Sequence, residues 1–405
     1  MNRTEFELAF RTLPFLDAHA DLPAGILPVR PGRLLVWEPE ALDRIFRDDK
    51  RLRHPGSRSL NPLLGPKSLL WADGDRHAAY RRVLGTPLRG RHLAHYHDMI
   101  TEVTGDAVEK LVPGKTFVLA DWTRQVALNI VSRIVLGGAD ETALTAFTQW
   151  IDRALGSRRR TLAYRLLRGK LPGSGEHLDS ALVRVAKSTS DAHSLVALML
   201  APGNPIGRID DGELRDQIVS LLFAGHETTA SATAWTLYQL TRRPRLRQDV
   251  LSELDTGGNA SDPGRVPLLQ AVIQEVLRLS PPVEVAGNRL LTEETELLGH
   301  RCPAGTVVTP AIYLAHHRSG LFPRPHRFDP GRFLDRKGTP DGYLPFGGGT
   351  RYCLGSQLGQ LEIRMITAAL VRRRTLRVVN PRAGKPALRG HAMAPSNRLR
   401  VEVLN

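Results

Sequence analysis

The pattern of apolar and polar positions predicts a chain made mostly of helices. Apolar residues recur at intervals of three and four over 39–47, 75–84, 96–111, 121–136, 141–155 and 356–373. A short run at 32–37 is typical of a strand, and strand-like pieces and turns follow residue 282. The fold class predicted is mainly α with a minor β region.

The longest predicted helix begins near Asp210 and runs without proline to Arg242, before Pro244. Asp210 and Glu213 have the spacing of a capping box. About thirty residues at 1.5 Å each give roughly 45 Å, enough to cross a whole domain. The middle of this segment, 218–224, is largely apolar, which predicts a buried central helix.

The segment 346–355, Phe-Gly-Gly-Gly-Thr-Arg-Tyr-Cys-Leu-Gly, carries the strongest chemical signal. Its glycines would let the backbone approach a flat ligand closely. Cys353 stands just before a predicted helix, whose positive end favours thiolate. A thiolate is a good axial ligand for haem iron. The spacing resembles the haem-binding loop of the cytochrome P450 family, which implies cofactor contacts by Phe346, Gly347, Arg351, Cys353 and Gly355.

A second motif, 224–229, lies within the long helix. Small residues at Ala224 and Gly225 would let a planar cofactor lie against it. Ala224 and Thr228 share a face, and Thr228 can bond back to the carbonyl four residues earlier. The motif resembles the family's acid–threonine pair, which implies that Thr228 hydrogen-bonds the oxygen being activated while Glu227 relays protons. His226 should point away and have no special role.

Two further sets of residues follow from the resemblance. Glu275 and Arg278, one helical turn apart, would form a buried structural triad with Arg332 behind the cysteine loop. The positions that match the family's haem-propionate ligands are His77, Arg81, Arg289 and Arg351. The resemblance spans about 32–403, so residues 1–405 are predicted to form a single domain with haem between the long helix and the cysteine loop.

Composition adds limits on location. The 405 residues hold no apolar stretch long enough to span a membrane, and the N-terminus does not look like a signal peptide. The two cysteines, Cys302 and Cys353, predict no disulfide framework, which fits a cytoplasmic location.

The net charge of +15 has two explanations that the sequence leaves open. A basic surface around Arg82, Arg89 and Arg364 would suit an acidic partner, and arginine-rich codon usage would also produce the charge. The basic residues are scattered and match no recognition module, so nucleic-acid binding is not predicted. The arginine-rich stretch 153–170 matches the family's substrate lid. It is a solvated face, a receptor for acidic substrates or a membrane contact.

These features together predict a haem-thiolate monooxygenase that uses heme b and O2. NAD(P)H would supply electrons through a reductase and an acidic ferredoxin, and an organic small molecule would be hydroxylated or epoxidised, in specialised (natural-product) metabolism. The alternatives are an oxidase that couples, desaturates or rearranges its substrate, a peroxide-driven enzyme, which Glu227 and Thr228 disfavour, and a haem-binding protein without turnover. By resemblance the substrate pocket would include Leu221, Leu222, Gly225, Val283, Val285, Ala286 and Met393.

Overall fold

The computed structural model describes residues 2–56, 60–138, 140–156, 160–161, 163–164, 167, 176–334, 338, 340–389 and 392–405. Its helices are α1 (Arg3–Phe10), α2 (Thr12–His19), α3 (Pro39–Arg47), α4 (Asn61–Leu64), α5 (Gly74–Gly85), α6 (His97–Glu109), α7 (Leu119–Leu136), α8 (Glu141–Leu155), α9 (Glu176–Ser188), α10 (Leu195–Leu200), α11 (Asp211–Thr241), α12 (Pro244–Asp255), α13 (Pro267–Leu279), α14 (Ile312–His316), α15 (Gly331–Leu334) and α16 (Ser356–Arg373). None of them combines the length and the apolar character needed to cross a bilayer.

The strands are short. They are β1 (Ile26–Arg30), β2 (Arg33–Val36), β3 (Thr116–Val118), β4 (Arg289–Leu290), β5 (Thr295–Leu297), β6 (His300–Cys302), β7 (Val307–Pro310), β8 (Leu376–Val378), β9 (Pro386–Arg389), β10 (Ala392–Pro395) and β11 (Arg400–Val403). One sheet has the order β1-β2-β7-β4, in which only the β2–β7 pair is parallel. Another has the order β3-β11-β8, and β5-β6 and β9-β10 are hairpins. The mainly α fold with a minor β region is confirmed.

Helix α11 is the long helix predicted from the sequence, and its boundary residues explain where it starts and stops. The side chain of Asp210 accepts a hydrogen bond from the amide of Glu213 at 2.7 Å. The reciprocal half of the capping box is replaced by a tertiary contact, because the Glu213 carboxylate accepts from Tyr80 at 2.5 Å and from Arg76 at 3.1 Å. The helix therefore begins locally and is also tied to α5. Pro244 starts the next helix.

Two apolar cores hold the elements together. The larger core surrounds α11, against which α7, α13 and α16 pack, and it buries most of that helix. The smaller core lies between α1–α3 and the four-stranded sheet. The buried middle of α11 agrees with the apolar pattern of the sequence, because a helix contacted from all sides needs no polar face.

Candidate active site

The cysteine loop, residues 346–355, is closed by its own backbone. The amide of Cys353 donates to the carbonyl of Phe346 at 3.0 Å. Gly347 has a φ of 69°, in the left-handed region that strains other residues. A Cβ added to Gly347 would meet no described atom within 4 Å. Glycine is thus needed at this position for its conformation, and the space beside it is open.

Gly348 and Gly349 are glycines for a different reason, which is close packing. A Cβ on Gly348 would lie 2.4 Å from the ring of Phe46 on α3. A Cβ on Gly349 would lie 2.6 Å from a carboxylate oxygen of Asp49, and the φ of Gly349 is 68°. These two residues seat the loop on the end of α3 and on the segment that follows it.

Cys353 is a free cysteine whose side chain is exposed, three residues before α16. Burial nevertheless raises the pKa of its thiol, while the amide of Gly355 and the charge of Arg81 lower it. Both observations fit a residue that borders an internal space, because such a residue is accessible and still far from bulk water. Burial thus acts against thiolate, the amide and the arginine act in favour of it, and the expected thiolate stays a prediction.

A short accessible stripe interrupts the buried middle of α11. Ala224 is exposed and Thr228 is half-buried, although Phe223, Glu227 and Thr229 are buried. The hydroxyl of Thr228 donates to the carbonyl of Ala224 at 2.7 Å, which is the bond that the sequence predicted. The helix that follows the cysteine loop, α16, packs beside this stripe, since a Cβ on its Gly359 would lie 3.6 Å from the Thr229 hydroxyl.

Gly225 has a packing role as well as its place next to Ala224. A Cβ on Gly225 would lie 2.6 Å from a methyl group of Val131 on α7. Its missing side chain therefore permits close contact between α11 and α7. Gly225 is half-buried, as Thr228 is, and its role in the substrate pocket stays a prediction.

Glu227 is buried and held by a cation that the sequence did not point to. Arg124 on α7 lies 2.5 Å from Glu227 Oε1 and 3.3 Å from Asp152 on α8. Burial opposes the charge of Arg124, but the two carboxylates outweigh it and raise the pKa of the guanidinium. Asp152 is about one-third exposed, so the ion-pair chain reaches from the centre of α11 towards the surface. His226 is buried, and its Nε2 lies 3.7 Å from Glu227 Oε1.

The structure brings together the three residues of the expected triad. Arg278 binds both carboxylate oxygens of Glu275, at 2.7 and 2.9 Å, and both side chains are fully buried. Arg332 reaches the same carboxylate at 3.3 Å. Arg278 also donates to the carbonyls of His316 and Pro325. Each charge is therefore paired and hydrogen-bonded, as burial requires.

His316 connects this triad to the cysteine loop, and no motif in the sequence points to it. Its Nδ1 lies 3.1 Å from the carbonyl of Arg278, and its Nε2 accepts the amide of Leu344 at 2.9 Å. Burial lowers the pKa of the ring well below its ordinary value. A neutral ring that donates from Nδ1 and accepts at Nε2 satisfies both contacts. The triad thus supports the chain two residues before the loop.

Three of the expected propionate ligands lie close together, because the charges of two arginines act on the histidine. Burial lowers the pKa of His77 to about 4, and the charges of Arg351 and Arg81 lower it further. Burial also lowers the pKa of Arg351, where Asp73 acts in the opposite direction and Arg289 adds to the lowering. The Nε atom of Arg351 is buried without a hydrogen-bond partner among the described residues. An anion placed here would satisfy that atom and relieve the repulsion.

Arg289 is close to this cluster but is engaged by the protein. Its Nε donates to Asp49 at 3.0 Å, and its terminal nitrogens donate to the carbonyls of Gly287 and Gly348 at 2.5 and 3.2 Å. The side chain is buried. Arg289 therefore fastens the cysteine loop to β4, and its expected contact with a propionate stays a prediction.

The expected substrate residues divide into two groups. Val283, Val285 and Ala286 are half-buried, and Leu221 is 9% exposed one turn before the accessible stripe. In contrast, two side chains are fully buried in the apolar cores and are not supported as pocket residues: Leu222 and Met393.

The described part of the basic surface also needs one correction. Arg82 and Arg89 are exposed as expected. Arg364 is buried and donates to the carbonyl of Ala260 and to the side-chain oxygen Oε1 of Gln270. Burial lowers its pKa to about 10. In the arginine-rich stretch, positions 157–159, 162, 165–166 and 168–170 lie outside the described residues.

A family model and the similar curated sequences point to the same family, and the matches cover most of the chain. A family model of cytochrome P450 matches residues 141–403. The sequence is similar to cytochrome P450 135B1 of Mycobacterium tuberculosis, a relative whose own assignment is inferred, with 32% identity over 383 residues, 90% of this chain and 81% of the relative. It is also similar to cytochrome P450 135A1 of that organism, likewise assigned by inference, with 31% identity over 397 residues, 93% of this chain and 87% of the relative.

Solved structures show the same likeness in fold. Retinoic acid-bound cyanobacterial CYP120A1 is 24% identical with a TM-score of 0.82, over 92% of this chain and 88% of that one. A six-coordinated cytochrome P450 from Thermus thermophilus is 25% identical with a TM-score of 0.70, over 93% of each chain.

Proposed function

This chain belongs to the cytochrome P450 family and is a monooxygenase, and we propose that Cys353 is the thiolate ligand of its haem iron. One observation carries the proposal. An exposed cysteine on a glycine loop is followed directly by a helix that packs beside an accessible stripe in an otherwise buried helix. A flat cofactor between Cys353 and Ala224 would cover both exposed residues. We further propose that residues 1–405 form one domain.

The residues present fit haem. Phe346, Gly347 and Gly355 would border it on the loop side, where the space beside Gly347 is open. The cluster of His77, Arg81 and Arg351 would bind the two propionates, and the unpartnered Nε of Arg351 is suited to a carboxylate. Arg289 would support the cofactor site by holding the cysteine loop, through its bonds to Asp49 and to the carbonyl of Gly348.

Bound heme b would supply the activation of O2, with electrons that come from NAD(P)H through a redox partner. The protein would supply protons and orientation. The Thr228 hydroxyl donates to the Ala224 carbonyl, so its oxygen can accept a hydrogen bond from the accessible side. Arg124, itself held by partly exposed Asp152, would fix the position of the Glu227 carboxylate, which we propose as the proton relay.

The proposed substrate is an apolar or mixed-polarity organic molecule that is hydroxylated or epoxidised. Half-buried Val283, Val285 and Ala286, together with Leu221, support an apolar wall. A role in natural-product metabolism and a cytoplasmic location stay predictions. The oxidase alternative stays open as well, because pocket geometry decides between oxygen insertion and coupling, and the mass of the product would distinguish them.

We propose an acidic ferredoxin as the electron donor. The chain carries a net charge of +15, and Arg82 and Arg89 are exposed on the side of α5 and the cysteine loop. Tyr352, next to Cys353, is 43% exposed. Complementary charge speeds docking, and an exposed aromatic side chain suits a contact surface.

The absorption spectrum of the dithionite-reduced protein under carbon monoxide tests the proposed ligand. Wild type should show the strongly red-shifted Soret band of a thiolate complex. Cys353→Ser should lose that band. The matched control Cys302→Ser should keep it, because Cys302 is buried in the smaller core. A Soret band at the position of a histidine-ligated or thiol-ligated carbonyl in fresh wild-type protein would contradict the proposal.

A further inference from the structure

His54 bridges two carboxylates beneath the cofactor site. Its Nδ1 lies 2.7 Å from Asp73, and its Nε2 lies 3.1 Å from Asp49. The amide of His54 also donates to Asp73 at 3.1 Å, and the ring is only 7% exposed. Each ring nitrogen thus faces a carboxylate of a different aspartate, and the ring bridges the two.

Asp49 connects one end of this bridge to the cysteine loop. Its fully buried carboxylate accepts the amide of Thr350 at 2.7 Å, the Thr350 hydroxyl at 2.5 Å and Arg289 Nε at 3.0 Å. Burial opposes ionisation of Asp49, but the bonds from His54 and Thr350 and the charge of Arg289 lower its pKa below the ordinary range. Asp49 therefore anchors the loop three residues before Cys353.

Asp73 connects the other end to the cations of the site. It accepts a hydrogen bond from Arg351 at 2.5 Å and stands at the N-cap position of α5, the helix that carries His77 and Arg81. Burial raises the pKa of Asp73, and the bonds from His54 together with the charge of Arg351 lower it overall. The isolated backbone pair between Arg53 and Leu290 sets His54 beside β4 and Arg289.

We propose that His54 is a positioning residue for haem, which holds the loop that carries the iron ligand against the N-terminus of α5, the helix of His77 and Arg81. The inference rests on the proposed function. The ring nitrogens of His54 contact Asp49 and Asp73 together and so fix the separation of the two carboxylates. That separation sets the position of the loop, which Asp49 holds at Thr350, relative to α5, whose N-cap is Asp73, and hence of the iron ligand relative to His77 and Arg81. Nothing in the local sequence around His54 resembles a cofactor motif.

Three substitutions separate a bridge from two independent hydrogen bonds. His54→Asn places an amide nitrogen near Nδ1 and retains the bond to Asp73. His54→Gln places one near Nε2 and retains the bond to Asp49. His54→Phe keeps the ring volume and removes both bonds. His300→Gln, on the exposed strand β6, is the control.

The readouts are the rate of haem transfer from the ferric holoenzyme to excess apomyoglobin, the spectrum of the reduced carbonyl complex, and Tm. A bridge needs both ends, so the Asn and Gln variants should release haem as fast as the Phe variant. All three should be at least about tenfold faster than wild type, the factor that corresponds to one charged hydrogen bond. Haem that remains bound should keep the thiolate band, and the control should match wild type.

Two results would overturn the bridge. Release rates of the Asn and Gln variants that equal the wild-type rate would show that His54 positions nothing. Rates midway on a logarithmic scale between wild type and the Phe variant would show two independent bonds. Absence of the thiolate band in wild type itself would instead refute the proposed function, and this inference with it. Tm separates general destabilisation from haem loss, because the Phe variant should be the least stable while releasing haem no faster.

Discussion

Removal of the cation that holds Glu227 tests the electrostatics of the central helix. Arg124→Met keeps most of the side-chain stem and removes the charge that lies 2.5 Å from Glu227. Glu227 is only 5% exposed, so the substitution leaves a carboxylate buried without its cation. Breaking a buried pair in this way costs about 3–5 kcal/mol. The second contact, to partly exposed Asp152, adds about 1 kcal/mol at most.

This cost converts into a measurable change in Tm. For 405 residues the entropy of unfolding is about 0.85 kcal/mol per kelvin, so a loss of 3–5 kcal/mol lowers Tm by about 4–6 °C. Differential scanning calorimetry of the holoenzyme measures it. The double variant Arg124→Met/Glu227→Gln should recover at least half of the loss, because no buried charge then lacks a partner.

The matched control for this prediction is Arg133, which lies on α7 as Arg124 does. Arg133 pairs with Glu102 at 2.9 Å, but the two side chains are 29% and 60% exposed. Arg133→Met should lower Tm by about 1 °C or less, as for other surface pairs. If Arg124→Met and Arg133→Met gave the same shift, the burial argument would be refuted, and Glu227 would have to be solvated or neutral.

Three further outcomes are expected. Gly349→Ala should impair haem incorporation and cost about 1–3 kcal/mol of stability, because the new Cβ would clash with Asp49 and alanine is strained at a φ of 68°. The control Gly320→Ala, whose new Cβ meets no atom within 4 Å, should resemble wild type in haem content and Tm. Thr228→Val should lower the amount of product formed per NAD(P)H consumed. The control Thr233→Val removes a similar 2.8 Å bond to a carbonyl one turn back and should leave this ratio unchanged. An equal ratio in the two variants would contradict the proton role of Thr228. Burial lowers the pKa of His317 to about 3. Between pH 6.5 and 3 this histidine is therefore protonated in the unfolded chain and neutral in the folded protein. Stability should fall on acidification by up to about 1.4 kcal/mol per pH unit, and His317→Gln should flatten that slope in a plot of Tm against pH.

The sequence predicted helix boundaries well wherever a local signal sets them. The bounds of α3, α8 and α16 agree with the predicted ones, and α11 starts one residue after its predicted cap at Asp210. Proline at a helix start and an aspartate cap act through neighbouring backbone alone, which is why one sequence can reveal them. The cysteine loop belongs to the same group, because its glycines and its cysteine are contiguous.

Tertiary partners could not be predicted, because periodicity identifies a face and not what covers it. Gly225 was selected as a cofactor neighbour, and nothing in its sequence context pointed to its close packing against Val131. Arg364 was expected on a docking surface and is buried against Ala260. The cation of Glu227, Arg124, comes from a helix about a hundred residues earlier, and no spacing rule connects the two.

The position of the cysteine loop therefore depends on anchors that its own ten residues do not contain. Leu344, just before the loop, is held by His316, whose carbonyl binds the triad arginine Arg278. Thr350 is held by Asp49, more than three hundred residues earlier. An iron ligand has to be fixed in distance and direction, and a loop closed only by its own backbone would move as a body. The motif in the sequence thus identifies the chemistry, while the buried carboxylates and histidines around it determine where that chemistry takes place.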